Sequence, residues 1–233
     1  MSSALTPPPS RLQGQGLLVL WGRIDSAVTD EDALNDWWTN EHLPERLRLP
    51  GFQRARRYHS LDIKDGKKEY LAMYETAHAQ DLASPEYLSA LDNPTPRTKQ
   101  FMPCLARMNR SACEVQFSEM IPATSCTKGV QVCQYLLMVV LGTLHHHPEL
   151  HKDLISTLNK TLCLSAPVGL TTTHIAEVKD DITKIGSASK SYESVQFTQR
   201  HDSSHDQNDT KIIAFSRLTC ETHPVSRMRI SGP

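Results

Sequence analysis

Residues 52–76 have the sequence FQRARRYHSLDIKDGKKEYLAMYET, and this stretch decides the fold because it predicts a β-hairpin. Residues 52–61 alternate in the manner of a strand. Lys64-Asp-Gly-Lys67 contains the Asp-Gly pair typical of a hairpin turn, and Glu69–Thr76 is the returning strand. The segments on either side of the hairpin then determine what these two strands pack against.

The segment before the hairpin predicts a strand and a helix. Gly16–Ile24 is a short apolar run of strand length. Thr29 is placed to cap a helix whose first turn is acidic, and Pro44 is expected to weaken or end that helix. Trp38 and His42 are four residues apart, so they share one face of it.

The segment after the hairpin predicts a second helix and a fourth strand. Ser84-Pro85 is a strong helix start, with Ser at the N-cap and Pro at the first helical position. Asn93-Pro-Thr-Pro96 breaks this helix, and Cys104–Phe117 alternates well enough to be a strand. The order is β-α-β-β-α-β, the ferredoxin-like arrangement in which an antiparallel sheet carries both helices on one face.

The second half of the chain repeats part of this order. Val132–Leu141 predicts a strand, Pro148 opens an amphipathic helix, and Leu170–Val178 and Lys211–Cys220 predict two more strands. Between the last two, residues 179–209 are polar, and no further helix or strand is assigned there. This insertion is expected to be either a lid or a disordered loop.

The predicted fold class is α+β, with two ferredoxin-like repeats that pair within one chain. The helix-free face of such a sheet is apolar and needs a second sheet to cover it, which a second repeat supplies. The expected organisation is a disordered arm at residues 1–15, a first repeat at 16–120 and a degenerate second repeat at 121–233 that contains the insertion. Pairing of this kind leaves a pocket in which a small ligand can bind.

Composition narrows the class of protein. The chain has 25 Lys and Arg against 26 Asp and Glu, so no nucleic-acid partner is expected. No apolar run approaches the roughly 20 residues that span a bilayer. The N-terminal segment lacks the apolar core of a signal peptide, and the six cysteines form no Cys-x-x-Cys pair. We therefore expect reduced thiols and a cytoplasmic protein without membrane association.

Several short motifs of the first half resemble the EthD-like group of the dimeric α/β barrel superfamily. These motifs are Asn35-Asp-Trp-Trp-Thr-Asn-Glu-His-Leu-Pro-Glu-Arg46, Leu49-Pro-Gly-Phe52, Arg54-Ala-Arg-Arg-Tyr58, Tyr70-Leu-Ala-Met-Tyr-Glu75, Ser84-Pro-Glu-Tyr-Leu88, Asn93-Pro-Thr-Pro96 and Met108-Asn-Arg110. The resemblance covers roughly residues 16–117, and the second half resembles only the tandem members of the superfamily.

The resemblance implies a barrel pocket with no metal and no organic cofactor. Relatives of this kind include decarboxylases and cyclases of aromatic polyketide pathways in secondary metabolism, and cofactor-independent oxygenases. In the decarboxylase-like members the histidine of a His-x-Pro segment is the usual catalytic candidate, and here that histidine is His42. A neutral imidazole beside an aromatic wall can move a proton on or off an enolic or phenolic substrate. The alternative is a histidine that interacts with the helix C-terminus.

The two hairpin strands supply further candidates. Arg57 and His59 share one face of the first, and Arg56 and Tyr58 share the other, but alternation does not settle which face meets the helices. On the returning strand Leu71 and Met73 are expected to face the helices, which sends Tyr70, Ala72 and Tyr74 toward the pocket. These tyrosines can hold a substrate carbonyl or donate a proton, or they can be core residues with satisfied hydroxyls.

The predicted site therefore has two parts. The predicted catalytic residues are His42, His59 and Tyr74, and the predicted substrate-binding residues are Trp38, Tyr58, Tyr70, Arg57 and Trp21. In this set Arg57 is a candidate carboxylate anchor, since a guanidinium binds a carboxylate bidentately. Trp21 and Trp38 are expected to be core or pocket walls.

A histidine cluster, His145-His-His147 with His151, is the one candidate metal site. Two histidines four residues apart can bind zinc on one helix face. No acidic or cysteine partner stands at a suitable spacing, so a solvated loop is the preferred interpretation and no metal is expected.

The leading functional hypothesis is a cofactor-independent lyase or cyclase of the decarboxylase type, acting on a small aromatic or polyketide-like molecule by histidine acid–base chemistry. A cofactor-free oxygenase is one alternative, and a non-enzymatic barrel that binds a metabolite or another protein is the other. The chain is expected to be a monomer with an internal pseudo-dimer, or a homodimer.

Overall fold

The computed structural model describes residues 11–25, 29–60, 66–105, 107–120, 133–142, 153, 155–157, 160, 170–197, 211–220 and 228–231. The strands of the first half are β1 (Gly16–Asp25), β2 (Phe52–Ser60), β3 (Lys67–Thr76) and β4 (Arg107–Met120). Its α-helices are α1 (Glu31–Asp36), α2 (Leu43–Leu47), α3 (Pro85–Asp92) and α4 (Pro96–Phe101), with 3₁₀ turns at Ala79–Ala83 and Met102–Leu105. The predicted order β-α-β-β-α-β is confirmed for this half.

The described part of the second half is mainly strands. They are β5 (Cys133–Gly142), β6 (Leu170–Val178), β7 (Gln196–Phe197), β8 (Lys211–Cys220) and β9 (Met228–Ser231). Helix α5 (Asp180–Ser187) and a 3₁₀ turn at Lys190–Tyr192 follow β6, and residues 155–157 are helical. No helix among the described residues is long and apolar enough to cross a membrane.

All of these strands belong to one sheet, in the order β5-β8-β6-β4-β1-β3-β2-β9, with the short β7 paired beside β4. Every pairing along the main path is antiparallel. The two edge strands β5 and β9 approach one another, so the sheet curls into a half-barrel. The α+β fold class is confirmed, whereas the pairing of two ferredoxin-like repeats stays a prediction.

Local chemistry explains how the helices of the first half begin. Ser84 accepts a hydrogen bond from the Tyr87 amide and caps α3, as predicted. The cap of α1 is Asp30 rather than the predicted Thr29, and its carboxylate accepts from the Ala33 amide.

The predicted break at Pro44 takes the form of a π-helical turn at Trp37–His42, which joins α1 to α2 without ending the helix. Because Pro44 has no amide hydrogen to donate to the carbonyl four residues earlier, the turn before it adopts the wider π-helical form. The Leu43 amide donates to the Trp38 carbonyl, five residues back. Such turns are frequent at functional sites.

The sheet has two faces with different neighbours. The helix-side face packs Leu18, Leu20 and Ala72 against the helices, and the inner face, enclosed by the curl, carries Leu17, Val19 and Phe215. The predicted orientation of β3 is wrong. Tyr70 and Tyr74 lie on the helix-side face, while Leu71 and Met73 lie on the inner face. The physical reason is that the tyrosine hydroxyls find polar partners on the helices, whereas Leu71 and Met73 pack with the apolar residues of the inner face.

Part of the predicted insertion 179–209 belongs to the core. Ile182, Tyr192 and Val195 are buried with the helix-side residues of the first half. Nη1 of Arg110 donates to the Thr183 carbonyl at 2.8 Å, and the Ala112 amide donates to the Thr183 hydroxyl at 2.9 Å. Residues 180–197 therefore include a helix and pack against the helix-side core of the first half. Residues 198–210 lie outside the described part, so the role of the whole insertion stays a prediction.

Two other predicted segments are partly described. Residues 11–15 of the expected arm lie along the sheet, since the Leu12 amide donates to the Ser118 hydroxyl at 2.9 Å and the Val115 amide donates to the Gln15 carbonyl at 2.8 Å. In the predicted hairpin turn Gly66 has a φ of 70°, which glycine adopts without strain. Residues 61–65 lie outside the described part.

Candidate active site

His42 ends the π-helical turn with its side chain directed into the helix-side core. The residue is 8 % exposed, and its ring centroid lies 4.9 Å from that of Trp37. Nδ1 has no hydrogen-bond partner within the described residues, and the nearest acidic oxygen, Oε2 of Glu45, is 3.8 Å away. Burial, reinforced by the charges of Arg46 and Arg57, holds the pKa of His42 well below its ordinary value. The imidazole is therefore a neutral, buried base.

Arg57 reaches from β2 into the same region. The residue is 1 % exposed; Nη1 donates to the Thr39 hydroxyl and Nη2 to Oδ1 of Asn35, both at 2.8 Å. Its guanidinium carbon lies 4.3 Å from the centroid of the Trp38 ring, a cation–π distance. Burial lowers the pKa of Arg57 to about 10, so the group stays charged at neutral pH. This arginine joins β2 to α1 and to the π turn.

Two tyrosines of β3 complete the aromatic part of the site. Nε1 of Trp38 donates to the Tyr74 hydroxyl at 3.4 Å, and the Tyr70 hydroxyl donates to Oε2 of Glu31 at 2.9 Å. Burial raises the pKa of each tyrosine to about 12, with Glu31 adding to the shift at Tyr70. Both phenols are therefore protonated at neutral pH, where they can donate hydrogen bonds.

His59 lies at the edge of this cluster, on β2. Its ring centroid is 5.8 Å from that of Tyr70, and Nδ1 lies 3.1 Å from the Ser60 carbonyl. Burial lowers the pKa of His59, although the side chain is only partly buried. His59 and His42 flank opposite ends of the arrangement around Trp38 and Arg57.

Arg46 was not among the predicted site residues. It is buried, and its Nη1 and Nη2 have no hydrogen-bond partner within the described residues. The closest carboxylate contact is to Oε1 of Glu45, at 3.7 Å from Nη1. The available sequence signal was its position four residues after His42, which places the two on one helix face. Arg46 adds a second buried cation beside the imidazole.

The structure thus brings together six of the eight predicted residues and separates two. His42, His59, Trp38, Arg57, Tyr70 and Tyr74 lie on the helix-side face. Tyr58 and Trp21 lie on the inner face and do not join them. The reason for Tyr58 is the strand period of two, which turns it away from its neighbours Arg57 and His59.

A surface groove of about 690 Å³ lies elsewhere, lined by residues that include Asp92, Lys99 and Glu193, and it contains none of the predicted site residues. Within the described residues no group of three or more histidine, cysteine, aspartate or glutamate side chains is arranged to hold a metal ion. His145-His-His147 and His151 lie outside that part of the chain.

No family model matches the chain, and no curated protein matches it in sequence. Two solved structures resemble its fold at a distance. One is a candidate monooxygenase from Fusobacterium nucleatum subsp. nucleatum, with 9 % identity, coverage of 89 % of this chain and 77 % of that chain, and a TM-score of 0.42. The other is an anthrone oxidase-like protein, with 12 % identity, coverage of 88 % and 74 %, and a TM-score of 0.41. TM-scores this low assign no function, and the EthD-like resemblance stays a prediction.

Proposed function

We propose that the helix-side cluster is the active site of a cofactor-independent oxygenase that acts on a small aromatic molecule with an acidic enol, phenol or methylene group. The observation that carries this proposal is the buried His42 imidazole, whose Nδ1 is unpartnered within the described residues and lies close to two arginines. Such a group is suited to removing a proton from a substrate in an environment that stabilises the resulting anion.

The direction of the pKa shift favours a base over an acid. A histidine whose pKa is held below its ordinary value is unprotonated at neutral pH, so it is ready to accept a proton. A decarboxylation that begins by protonating a ring carbon needs the opposite, a protonated imidazole. The lyase hypothesis therefore fits this site less well than a reaction that begins with deprotonation.

The surroundings of His42 suit a substrate anion. Arg57 stays charged at neutral pH, and Arg46 carries two unpartnered donor groups within the described residues. Trp38 and Tyr70, whose stacked ring centroids are 6.0 Å apart, give this region an aromatic surround. Burial keeps water from reprotonating the carbanion before it meets O₂.

The proposed reaction converts an activated CH₂ carbon into a carbonyl. His42 takes one proton, and the carbanion reacts with O₂ to form a C–O bond. The second C–H bond and the O–O bond then break, so that one oxygen atom becomes the carbonyl oxygen and the other leaves as water. The carbon is oxidised by four electrons and O₂ is reduced by four, so no other reductant is needed.

Arg46 favours decarboxylation as the second candidate. Its two unpartnered donor groups are the kind that hold a substrate carboxylate. In that reaction a C–C bond breaks, CO₂ leaves and the carbanion takes up a proton, without consumption of O₂.

The test is O₂ uptake with enolisable probes such as anthrone, corrected for spontaneous oxidation, alongside CO₂ release from aromatic and β-keto acids. We expect ¹⁸O₂ to place one label in the ketone product, and His42→Gln to slow the reaction at least about 100-fold. His78→Gln is the matched control because His78 is exposed. Release of CO₂ without O₂ uptake would select the decarboxylase. An equal rate for His42→Gln and wild type, or turnover of none of the probes, would remove the enzyme proposal in favour of a binding protein.

A further inference from the structure

A second buried arginine lies on the inner face of the sheet, away from His42. Arg217 of β8 is 3 % exposed, and Nη2 donates to the Tyr58 hydroxyl at 3.3 Å. Nε and Nη1 are buried and have no hydrogen-bond partner within the described residues. β8 and β2 are not neighbours in the sheet, so this contact crosses the space enclosed by the curl.

Polar side chains surround the Arg217 guanidinium. Thr172 is its cross-strand neighbour on β6 and has a buried hydroxyl with no partner in the described part of the chain. His174, two residues further along β6, lies within 2.9 Å of the Ser118 hydroxyl through Nδ1. Burial, followed by the charges of Arg217, Arg56 and Arg54, lowers the pKa of His174 to about 3. Three guanidinium groups thus act on one buried imidazole.

The described acidic side chains do not balance this charge. Glu75 faces the same space, but its carboxylate accepts two hydrogen bonds from Arg54, both at 2.7 Å, and a third from the Gln13 amide at 2.8 Å. Arg217 has no ion pair within the described residues. A buried cation whose donors are unsatisfied is costly, and an anion that accepts from those donors relieves the cost.

We propose that the inner face of the sheet holds a binding site for a small organic carboxylate, centred on Arg217. Nε, Nη1 and the Thr172 hydroxyl are the free donors for its oxygens. The body of the ligand packs against the apolar side chains of the same face, Leu71, Met73 and Phe215. These walls favour an apolar acid over inorganic phosphate. The site is separate from the proposed oxygenase site because the two lie on opposite faces of the sheet.

The experiment measures binding of benzoate and octanoate to the full chain by calorimetry and thermal shift, with benzamide as the neutral analogue and inorganic phosphate as the competing anion. We expect one carboxylate or both to bind and raise the melting temperature, and benzamide and phosphate to have no comparable effect. Arg217→Met is expected to abolish binding. Arg217→Lys is expected to weaken it about tenfold or more, because an ammonium group does not reproduce the separate guanidinium donors.

A His42→Gln variant separates this site from the proposed active site. Carboxylate binding to that variant should match wild type, whatever the outcome of the oxygenase test. Binding that survives Arg217→Met, or that disappears in His42→Gln, would overturn the inner-face site. So would stabilisation by phosphate alone, or by none of the probes. If Arg217→Met does not fold, Arg217→Lys decides, and wild-type affinity in that variant rejects the proposal.

Discussion

Two buried arginines on opposite faces of one sheet differ in what surrounds them. Arg57, on the helix-side face, donates to Thr39 and Asn35 and stacks on the Trp38 ring. Arg217, on the inner face, makes one hydrogen bond, to Tyr58, and leaves Nε and Nη1 without described partners. Both are almost fully buried. Burial alone therefore does not say whether an arginine is structural or reserved for a ligand.

The difference is one of degree: Arg57 donates through both Nη1 and Nη2 and leaves only Nε without a described partner, whereas Arg217 donates through Nη2 alone. Arg57 is held by side chains from α1 and the π turn, so it fixes the helical segment that carries His42 against β2. Arg217 has two donor atoms, Nε and Nη1, that the described residues leave without an acceptor and that a ligand can use. The first should matter to folding and the second to binding, and three changes test that contrast.

The largest effect is expected for Arg57→Met. The variant leaves Asn35 Oδ1 and the Thr39 hydroxyl without their donor and removes the cation from the Trp38 ring, so we expect a loss of about 3 kcal/mol in the free energy of unfolding. Urea denaturation measures it. Arg23→Met is the control, since Arg23 makes an exposed ion pair with Glu69 and should change stability by less than about 1 kcal/mol. Equal losses in the two variants would contradict the structural role of Arg57.

The sequence predicts the first half of the fold well because its signals are local. The hairpin strands, the Ser84-Pro85 helix start and the order of elements follow from alternation, capping and proline chemistry. Local spacing also pairs four of the predicted site residues correctly, because Arg57 and His59 are two apart on a strand and Trp38 and His42 are four apart on a helix.

The errors arise where the outcome depends on tertiary contacts. Alternation shows that Tyr70 and Leu71 point in opposite directions, but only their partners determine which one meets the helices. Tyr58 and Trp21 fall on the inner face for the same reason. The burial of residues 180–197 was hidden by their polar composition, since Ile182, Tyr192 and Val195 are widely spaced along the chain. No sequence pattern pointed to Arg217, because its unpartnered donors become apparent only when the curled sheet brings β8 and β2 together.

A second, smaller effect concerns His174 on the inner face. Its pKa is about 3 in the folded protein and about 6.5 when unfolded, so the unfolded chain binds the proton more tightly. The neutral His174 therefore favours the folded state fully above pH 6.5, and this contribution to the free energy of unfolding decreases as the pH falls toward 3. We expect it to cost about 2 kcal/mol between pH 7 and pH 5. Unfolding free energies of wild type and His174→Gln, measured across this range, should converge as the pH falls. Parallel curves would mean that burial and the neighbouring arginine charges do not lower the pKa of His174 in the folded protein.

The smallest effect is expected for Arg217→Met in the absence of ligand, and it decides the comparison. If the guanidinium is an unsatisfied buried charge, replacing it with an apolar side chain of similar length removes a desolvation cost and only one hydrogen bond, that to Tyr58. Stability should then stay the same or rise by up to about 1 kcal/mol in urea denaturation. A loss close to that of Arg57→Met would instead show that Arg217 is as fully engaged as Arg57. If Arg217 serves a ligand, Arg217→Met should lose carboxylate binding while its stability stays unchanged. The reason is that the ligand, and not the folded chain, supplies the hydrogen-bond acceptors for the free Arg217 donors.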